Sequence, residues 1–296
     1  MSSLAASRLC MVTTNFNYGD YLEDCIKSIV HSKGAERVDY VMMDGGSTDQ
    51  SLDIIKKYSS HFKHSQSAKD EGMYHAIAEG FKKSNAAYMG WLNSDDQLTP
   101  WTIQTVLDIF DQLPHVRWIT SRYPLQARKD GVVIKSDFLP GVDNWGFFNG
   151  EHIKSSGLPT SGWVVQDCTF WRRDLWDEVG GTFDFTLKLA GDFELWARFM
   201  QKTDLYVVNV PFGIYRFHGA NKAVTGRDAY RDECVKVLNR YTPVIPSSIE
   251  MLGQRVIAKH LKAIGFGNLV DKSWGPSLKT IVFSHADGRY HTVDVE

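Results

Sequence analysis

No apolar run in the 296-residue chain approaches the roughly 20 residues that a membrane-spanning helix needs. The four cysteines, Cys10, Cys25, Cys168 and Cys234, form no CxxC pair and no metal-ligand spacing. That excludes a disulfide scaffold and reads as buried free thiols in a reducing cytoplasm. A surplus of one charge is also missing: 33 Lys and Arg stand against 35 Asp and Glu, a formal net charge of -2. A nucleic-acid binder neutralises phosphates with excess basic residues, so that class is excluded as a partner. The opening stretch from Met1 to Arg8 lacks the basic start and apolar core of a signal peptide, and a cytoplasmic location is expected. There is no internal repeat and no low-complexity tract. With 43% hydrophobic and 23% charged residues, the composition excludes disorder and collagen.

What is present is an alternation. Arg8 to Thr14 reads as a buried strand ending in a polar turn, and Tyr21, Leu22, Cys25, Ile26 and Ile29 then recur at helical spacing. A second strand, Val38 to Met43, runs into Asp44-Gly45-Gly46-Ser47-Thr48-Asp49. Ser47 or Thr48 is expected to cap the following helix, with Leu52, Ile55 and Tyr58 on its apolar face. A third strand near Phe62 to Ser65 precedes Asp70-Glu71-Gly72 and a helix through Met73, Ile77 and Phe81. A fourth, Ala87 to Leu92, ends at Asn93-Ser94-Asp95-Asp96. Four strand–helix alternations predict a mostly parallel α/β sheet with helices on both faces. Each polar cluster lies at the carboxyl end of a predicted strand, the edge where open α/β sheets bind ligands.

The second half is less regular. Helices are expected over Trp101 to Phe110, 173–179 and 191–200, strands over Arg117 to Arg122 and Leu205 to Val210, and a hairpin turn at Lys129-Asp130-Gly131. Residues 138–165 read as loop. Beyond Gly219 the chain reads as mainly helical.

Two adjacent carboxylates after an apolar strand are costly unless solvated, paired or bound to a cation. Mg²⁺ or Mn²⁺ on a diphosphate needs only one or two carboxylates, because water and phosphate oxygens complete the shell. Asp95 and Asp96 fit that need; opening the next helix is the bland alternative. Asp44 and Asp70 also end strands and could accept hydrogen bonds from a base or a ribose; singly, each is more often a turn former. A nucleotidyltransferase would carry a basic or glycine-rich cradle after the first strand. Thr13 to Tyr18 has no Lys, Arg or Gly. Asp192 opens a predicted helix, as N-cap or as general base within reach of an acceptor hydroxyl; Glu194 competes for the latter role.

Thr13-Thr14-Asn15, Asp44-Gly45-Gly46-Ser47-Thr48-Asp49, Asp70-Glu71-Gly72-Met73-Tyr74, Leu92-Asn93-Ser94-Asp95-Asp96 and the phrase from Gln166 to Arg198 together resemble the motifs of the family-two glycosyltransferases. The resemblance covers roughly residues 8–218 in the family's order, which is far more specific than any one motif. It implies the GT-A fold: a Rossmann-like, mostly parallel sheet in a catalytic domain over 7–218 (nucleotide-sugar half 7–98, acceptor half 99–218), followed by a helical extension over 219–296. It implies inverting transfer of a hexose from a nucleotide sugar, UDP-sugar favoured, with Mn²⁺ or Mg²⁺, to a saccharide or lipid-linked saccharide acceptor in polysaccharide biosynthesis. By the same resemblance Thr13, Asn15, Asp44, Asp70 and Asn93 belong with the nucleotide-sugar pocket and Asp95 with the ribose. Asp96 is the metal ligand, His218 approaches metal or diphosphate, and Asp192 is the base. The family's frequent Glu-Asp pair is here Gly191-Asp192, a departure. His75 and Ala78 replace an Asp and an Asn, and Asn93 replaces a third Asp found in some members.

Trp145 and Trp163 lie in predicted loops where a ring could stack on a sugar, against ordinary packing as the commoner role. Residues 248–264 carry Ile249, Leu252, Val256, Leu261 and Ile264 among Arg255, Lys259 and Lys262. A helix packed on the catalytic domain is the favoured reading, and an anionic membrane face is the alternative.

Overall fold

The computed structural model describes residues 8–153, 162–219, 221, 225–241, 256–257 and 278–295. In chain order the first half holds β1 (Leu9–Asn15), α1 (Gly19–Val30), β2 (Val38–Asp44), α2 (Ser51–Lys57), β3 (His64–Ser67), α3 (Met73–Phe81), β4 (Tyr88–Asn93), β5 (Gln97–Leu98) and α4 (Thr102–Gln112). Then come β6 (Trp118–Ser121), β7 (Leu125–Arg128), β8 (Val133–Ser136), α5 (Asn144–Phe148), β9 (Thr169–Arg172), α6 (Arg173–Glu178) and α7 (Gly191–Met200). The chain closes with β10 (Tyr206–Val208), β11 (Gly213–Phe217), α8 (Arg227–Leu238), β12 (Leu278–Ser284) and β13 (Arg289–Val295).

Nine strands form one sheet in the order β13-β12-β10-β6-β9-β4-β1-β2-β3. The β3-β2-β1-β4 half is parallel, and β9 runs antiparallel between β4 and β6. A second sheet, β5-β11-β7-β8, lies beside it and contains the predicted hairpin turn. β1 is a near-continuous apolar run because both its faces are covered. Leu9 and Met11 belong to the core with Leu22, Ile26, Ile103 and Phe110 of α1 and α4. Cys10 and Val12 belong to the opposite core with Ile77 and Phe81 of α3 and with α7. Helices therefore cover both faces. In that second core the indoles of Trp91, Trp118 and Trp196 stack with centroids 5.5–5.8 Å apart.

The four cysteines are buried and free, and burial pushes the Cys10 and Cys25 thiols up to about 12. None of the described helices is long and apolar enough to cross a membrane.

Four local expectations are corrected. Ser47 and Thr48 do not cap α2, which begins at Ser51. Asp49 instead accepts from the backbone N–H of Ser51 (3.0 Å) and of Gly19 (2.8 Å), tying the starts of α1 and α2 together, and Leu52 is exposed. β3 begins two residues later than predicted, because Phe62 leaves the ladder to pack edge-on against Tyr40 at 5.1 Å. The 138–165 loop contains α5, capped by Asp143; five residues are too few to show a helical period. The segment beyond Gly219 is helical over α8, but residues 278–295 form a hairpin on the edge of the main sheet, β12 pairing parallel to β10. Gly288, at φ 69°, supplies the turn. Apart from Val256 and Ile257, the 248–264 stretch lies outside the described residues.

Gly90 of β4 lies where an added Cβ would sit 2.7 Å from the Phe170 ring and 3.2 Å from the Met11 sulfur. Gly90→Ala is expected to destabilise the fold by about 1–3 kcal/mol through overpacking, measured by urea unfolding; an unchanged midpoint would refute the tight approach of β9 to β4.

Candidate active site

The carboxyl ends of β1 and β4 open onto a cleft of about 540 Å³. β1 and its turn supply Thr14, Asn15, Phe16 and Tyr18; the turn into α3 supplies Asp70 and Tyr74; β4 ends in Asn93, Ser94, Asp95 and Asp96. The other wall comes from Trp163 to Asp167, from Lys188 to Trp196 around the start of α7, from Tyr215 of β11, and from Arg227 and Tyr230 of α8.

The centre of the cleft is the turn after β4. Asp96 is only 3% exposed. Burial, and then the charges of Asp95 and Asp167, push its carboxyl well above the usual range. Two groups oppose this: the Arg216 backbone N–H donates to Asp96 Oδ1 at 3.1 Å, and the guanidinium lies nearby. Arg216 is wholly buried. Its Nε donates to the Asp95 carbonyl at 2.5 Å, and its Nη2 to the Tyr21 and Ser94 carbonyls at 2.7 and 3.3 Å. One guanidinium thus pins the turn to α1. Asn221 Nδ2 donates to the Arg216 carbonyl at 2.9 Å, which holds β11 from behind.

His218 reaches the carboxylates through Asp95, with Nε2 3.1 Å from Asp95 Oδ2, and its ring stacks on Tyr21 at 4.6 Å. Asn93 donates to Gln166 Oε1 at 3.2 Å, while Gln166 donates to the Trp91 carbonyl at 2.7 Å. Asp70, exposed, joins the cleft beside Gly45 and accepts from the Gly72 N–H at 2.9 Å.

Two expected pocket residues lie beneath the surface instead. Thr13 is fully buried and accepts from the Tyr40 hydroxyl at 3.1 Å; the strand's period of two turns Thr14 to the cleft. Asp44 is buried and accepts from Asn15 Nδ2, from the backbone and hydroxyl of Ser47, from Ser67 Oγ and from the Gly46 N–H. Burial raises its carboxyl, but these bonds outweigh it and hold the group below its ordinary value. Asp44 thereby orients the Asn15 side chain beneath the cleft, with Asn15 Nδ2 donating to its Oδ1 at 2.7 Å.

Asp192 starts α7 and faces the cleft, its Oδ1 3.4 Å from the Tyr74 hydroxyl. Glu194, the competing candidate, does not line the cleft: it is buried and holds Arg198 through both oxygens, at 2.8–3.1 Å. The loop leading into Asp192 is held by Glu233 of α8, whose carboxylate accepts the backbone N–H of Lys188, Leu189 and Ala190 at 2.8–3.0 Å.

Residues 10–179 match the family described as Glycosyl transferase family 2. The chain belongs to that family. An uncharacterized glycosyltransferase of Rickettsia prowazekii is 23% identical over 220 residues, which are 73% of this chain and 67% of the relative. Chondroitin synthase of Escherichia coli is 22% identical over 228 residues, 76% of this chain but 31% of that much longer protein. Among solved structures, S. aureus TarS residues 1–349 in complex with UDP-GlcNAc superimposes with TM-score 0.60 at 14% identity, covering 90% of this chain and 78% of that one. A mannosyltransferase from Pyrobaculum calidifontis, solved with GDP-Man and Mn2+, gives TM-score 0.53 at 12% identity, covering 91% and 82%. These likenesses establish the GT-A fold.

At Gly191, the departure from the Glu-Asp pair, the backbone packs directly on Tyr74. A Cβ at Gly191 would lie 2.7–2.9 Å from the Tyr74 ring, whose hydroxyl donates to the Leu189 carbonyl at 2.7 Å. Tyr74 occupies the space that a longer residue at 191 would need. Of the two unfamiliar residues on α3, Ala78 is buried, and His75 meets Phe185 edge-on at 5.5 Å. Trp163 lines the cleft, and Trp145 does not.

Arg216 and Glu233 were invisible to motif spacing, and Asp167 lies within the Gln166–Arg198 phrase without standing out in it. Asp167 could have been suspected as a carboxylate closing the apolar run Trp163-Val164-Val165; Gly213 opposite it leaves room, since a Cβ there would sit 2.6 Å from Asp167 Oδ2. Arg216 and Glu233 carry no local signal at all.

Arg216→Met is expected to cost about 3 kcal/mol or more, because several buried carbonyls and Asp96 lose their donor or counter-charge together. Urea unfolding checks this; a change within error would mean that Arg216 does not hold the turn. Burial raises the Glu233 carboxyl, but the three amides outweigh it and lower it below its ordinary value. Its contribution is therefore complete above the unfolded glutamate value, about 4.3. It is lost as pH falls through the lowered folded value. The melting-temperature gap between wild type and Glu233→Gln should be constant from neutral pH down to that region and close below it. A gap independent of pH in acid would contradict the assignment.

Proposed function

We propose that this glycosyltransferase moves a hexose from a nucleoside diphosphate sugar, UDP-sugar favoured, to a hydroxyl of a saccharide or lipid-linked saccharide acceptor, with inversion and with Asp192 as general base. The observation that carries this reading is a single cleft that holds the Asp95–Asp96 turn together with Asp192. TarS, solved with UDP-GlcNAc, and the mannosyltransferase, solved with GDP-Man and Mn2+, support a nucleotide-sugar donor on this fold.

On this reading Asn15 and Asp70 take the base and ribose, and the exposed Phe16 ring adds apolar surface at the same end of the cleft. The crowding of Asp95, Asp96 and Asp167 fits a cation site, since a positive ion relieves the cost of the buried Asp96 carboxylate. Asp96, with Asp95 oriented by His218, would hold Mn²⁺ or Mg²⁺, which when bound neutralises charge on the departing diphosphate. Lys188 and Arg227 add positive charge to the cleft wall. Asp192 takes the acceptor proton as the hydroxyl attacks the anomeric carbon, and the sugar passes through an oxocarbenium-like state. A single displacement needs no carboxylate nucleophile, which accords with Glu194 being tied to Arg198. The buried Trp91 and Trp196 indoles wall off water beneath the reacting sugar.

Asp192→Asn should lower turnover by about 10²- to 10⁴-fold while donor affinity stays close to wild type; near-normal turnover would remove Asp192 from the base role. In a thermal-shift panel of UDP-, GDP- and dTDP-sugars with Mn²⁺, the UDP-sugars should raise the melting temperature most. Stabilisation by GDP- or dTDP-sugars alone would overturn the uridine assignment.

A further inference from the structure

Outside the Asp95–Asp96 turn, Asp143, Glu151 and His152 each bring one ligand atom to within 4.8 Å of the other two. All three flank α5. Asp143 caps that helix through Oδ1, which accepts the Gly146 N–H at 2.8 Å, while its Oδ2 lies 3.8 Å from His152 Nε2. The Glu151 N–H donates back to the Gly146 carbonyl at 2.9 Å, so both ends of the short helix are locked beside each other.

His152 Nδ1 lies 2.6 Å from the Gly162 carbonyl. A carbonyl only accepts, so Nδ1 carries a proton and Nε2 is the ring atom turned to Asp143. The His152 side chain is 4% exposed, and Nε2 has no hydrogen-bond partner among the described residues. This atom faces a carboxylate across a gap too long for a hydrogen bond and closed to solvent. That arrangement suits a cation seated between the imidazole and the carboxylate. A divalent ion at about 2.0–2.2 Å from each would span the 3.8 Å gap. The back-side bond from Nδ1–H to a backbone carbonyl is the arrangement that orients metal-bound imidazoles.

We propose that Asp143, Glu151 and His152 form a second divalent-cation site, distinct from the one assigned to Asp96. One imidazole with two carboxylates is a nitrogen–oxygen set suited to Zn²⁺ rather than to the all-oxygen shells of Mg²⁺ or Ca²⁺. Three protein ligands leave a coordination position for water. The bound ion clamps residues 143 and 151–152 around α5 and, through Gly162, fixes the cleft wall that carries Phe147, His152 and Trp163. The site is independent of which donor the cleft takes.

The test uses the full chain carrying Asp96→Asn, which silences the other cation site. Chelator-treated protein is equilibrated with Zn²⁺, and bound metal is measured by mass spectrometry. Asp96→Asn should retain about one zinc per chain. Adding His152→Gln should weaken zinc affinity by roughly tenfold or more, and adding Glu151→Gln should act in the same direction. Zn²⁺ should raise the melting temperature of Asp96→Asn and not that of either double variant, each first shown to be folded by circular dichroism in the metal-free state. Absence of zinc from the Asp96→Asn chain would overturn the proposal. So would equal zinc affinity with and without His152→Gln or Glu151→Gln, which is also the result expected if a proton on Nε2 supplies the charge.

Discussion

The arrangement of the cleft depends on one buried cation. Arg216 lies wholly inside the protein and gathers the carbonyls of Tyr21, Ser94 and Asp95, while its own backbone N–H meets Asp96. These partners come from α1 and the turn after β4, and Arg216 itself from β11, all far apart in the chain. A buried guanidinium is costly unless its donors are met; here carbonyl oxygens meet them, and Asp24 adds an ion pair at 3.4 Å. The result is a rigid presentation of two carboxylates at the end of a parallel strand. Even with Arg216 beside it, burial and the neighbouring carboxylates keep the Asp96 carboxyl well above the usual range, the condition that would favour an added cation.

The acceptor side is organised by the reverse charge relation. Glu233, an anion, gathers three backbone N–H groups just ahead of α7 and so sets where Asp192 begins its helix. Tyr74 packs on Gly191 and touches Asp192, linking α3 on one wall of the cleft to α7 on the other. A cation that collects carbonyls and an anion that collects amides thus fix the two sets of carboxylates in the cleft. The stacked tryptophans beneath them hold the distance, because a close-packed aromatic layer tolerates little displacement.

Much of the donor half was legible in the sequence. β1, β2 and β4 are apolar runs ended by polar clusters, and parallel sheets place such clusters on one edge by geometry alone. Asn15, Asp70, Asn93, Asp95, Asp96 and Asp192 do meet in the cleft, as motif order implied. Asp44 and Thr13 were placed in the pocket by motif, but side-chain direction and hydrogen-bond saturation put them under it, which spacing does not reveal. Arg216 and Glu233 were illegible because their partners are remote: the Arg216–Asp95 contact spans 121 residues and the Glu233–Leu189 contact 44. The β12–β13 hairpin was missed because its seven-residue strands sit at a sheet edge with mixed burial, so their alternation is weak.

The central claim is that the Asp95–Asp96 turn binds a diphosphate through a cation rather than directly. Calorimetric titration of the full chain with UDP, once with Mn²⁺ and once with a chelator, tests it most directly. The account predicts tight binding with Mn²⁺ and a loss of at least about tenfold without it, with Asp96→Asn behaving like the chelated wild type in both conditions. Equal UDP affinity with and without the metal, in the wild-type chain, would contradict it.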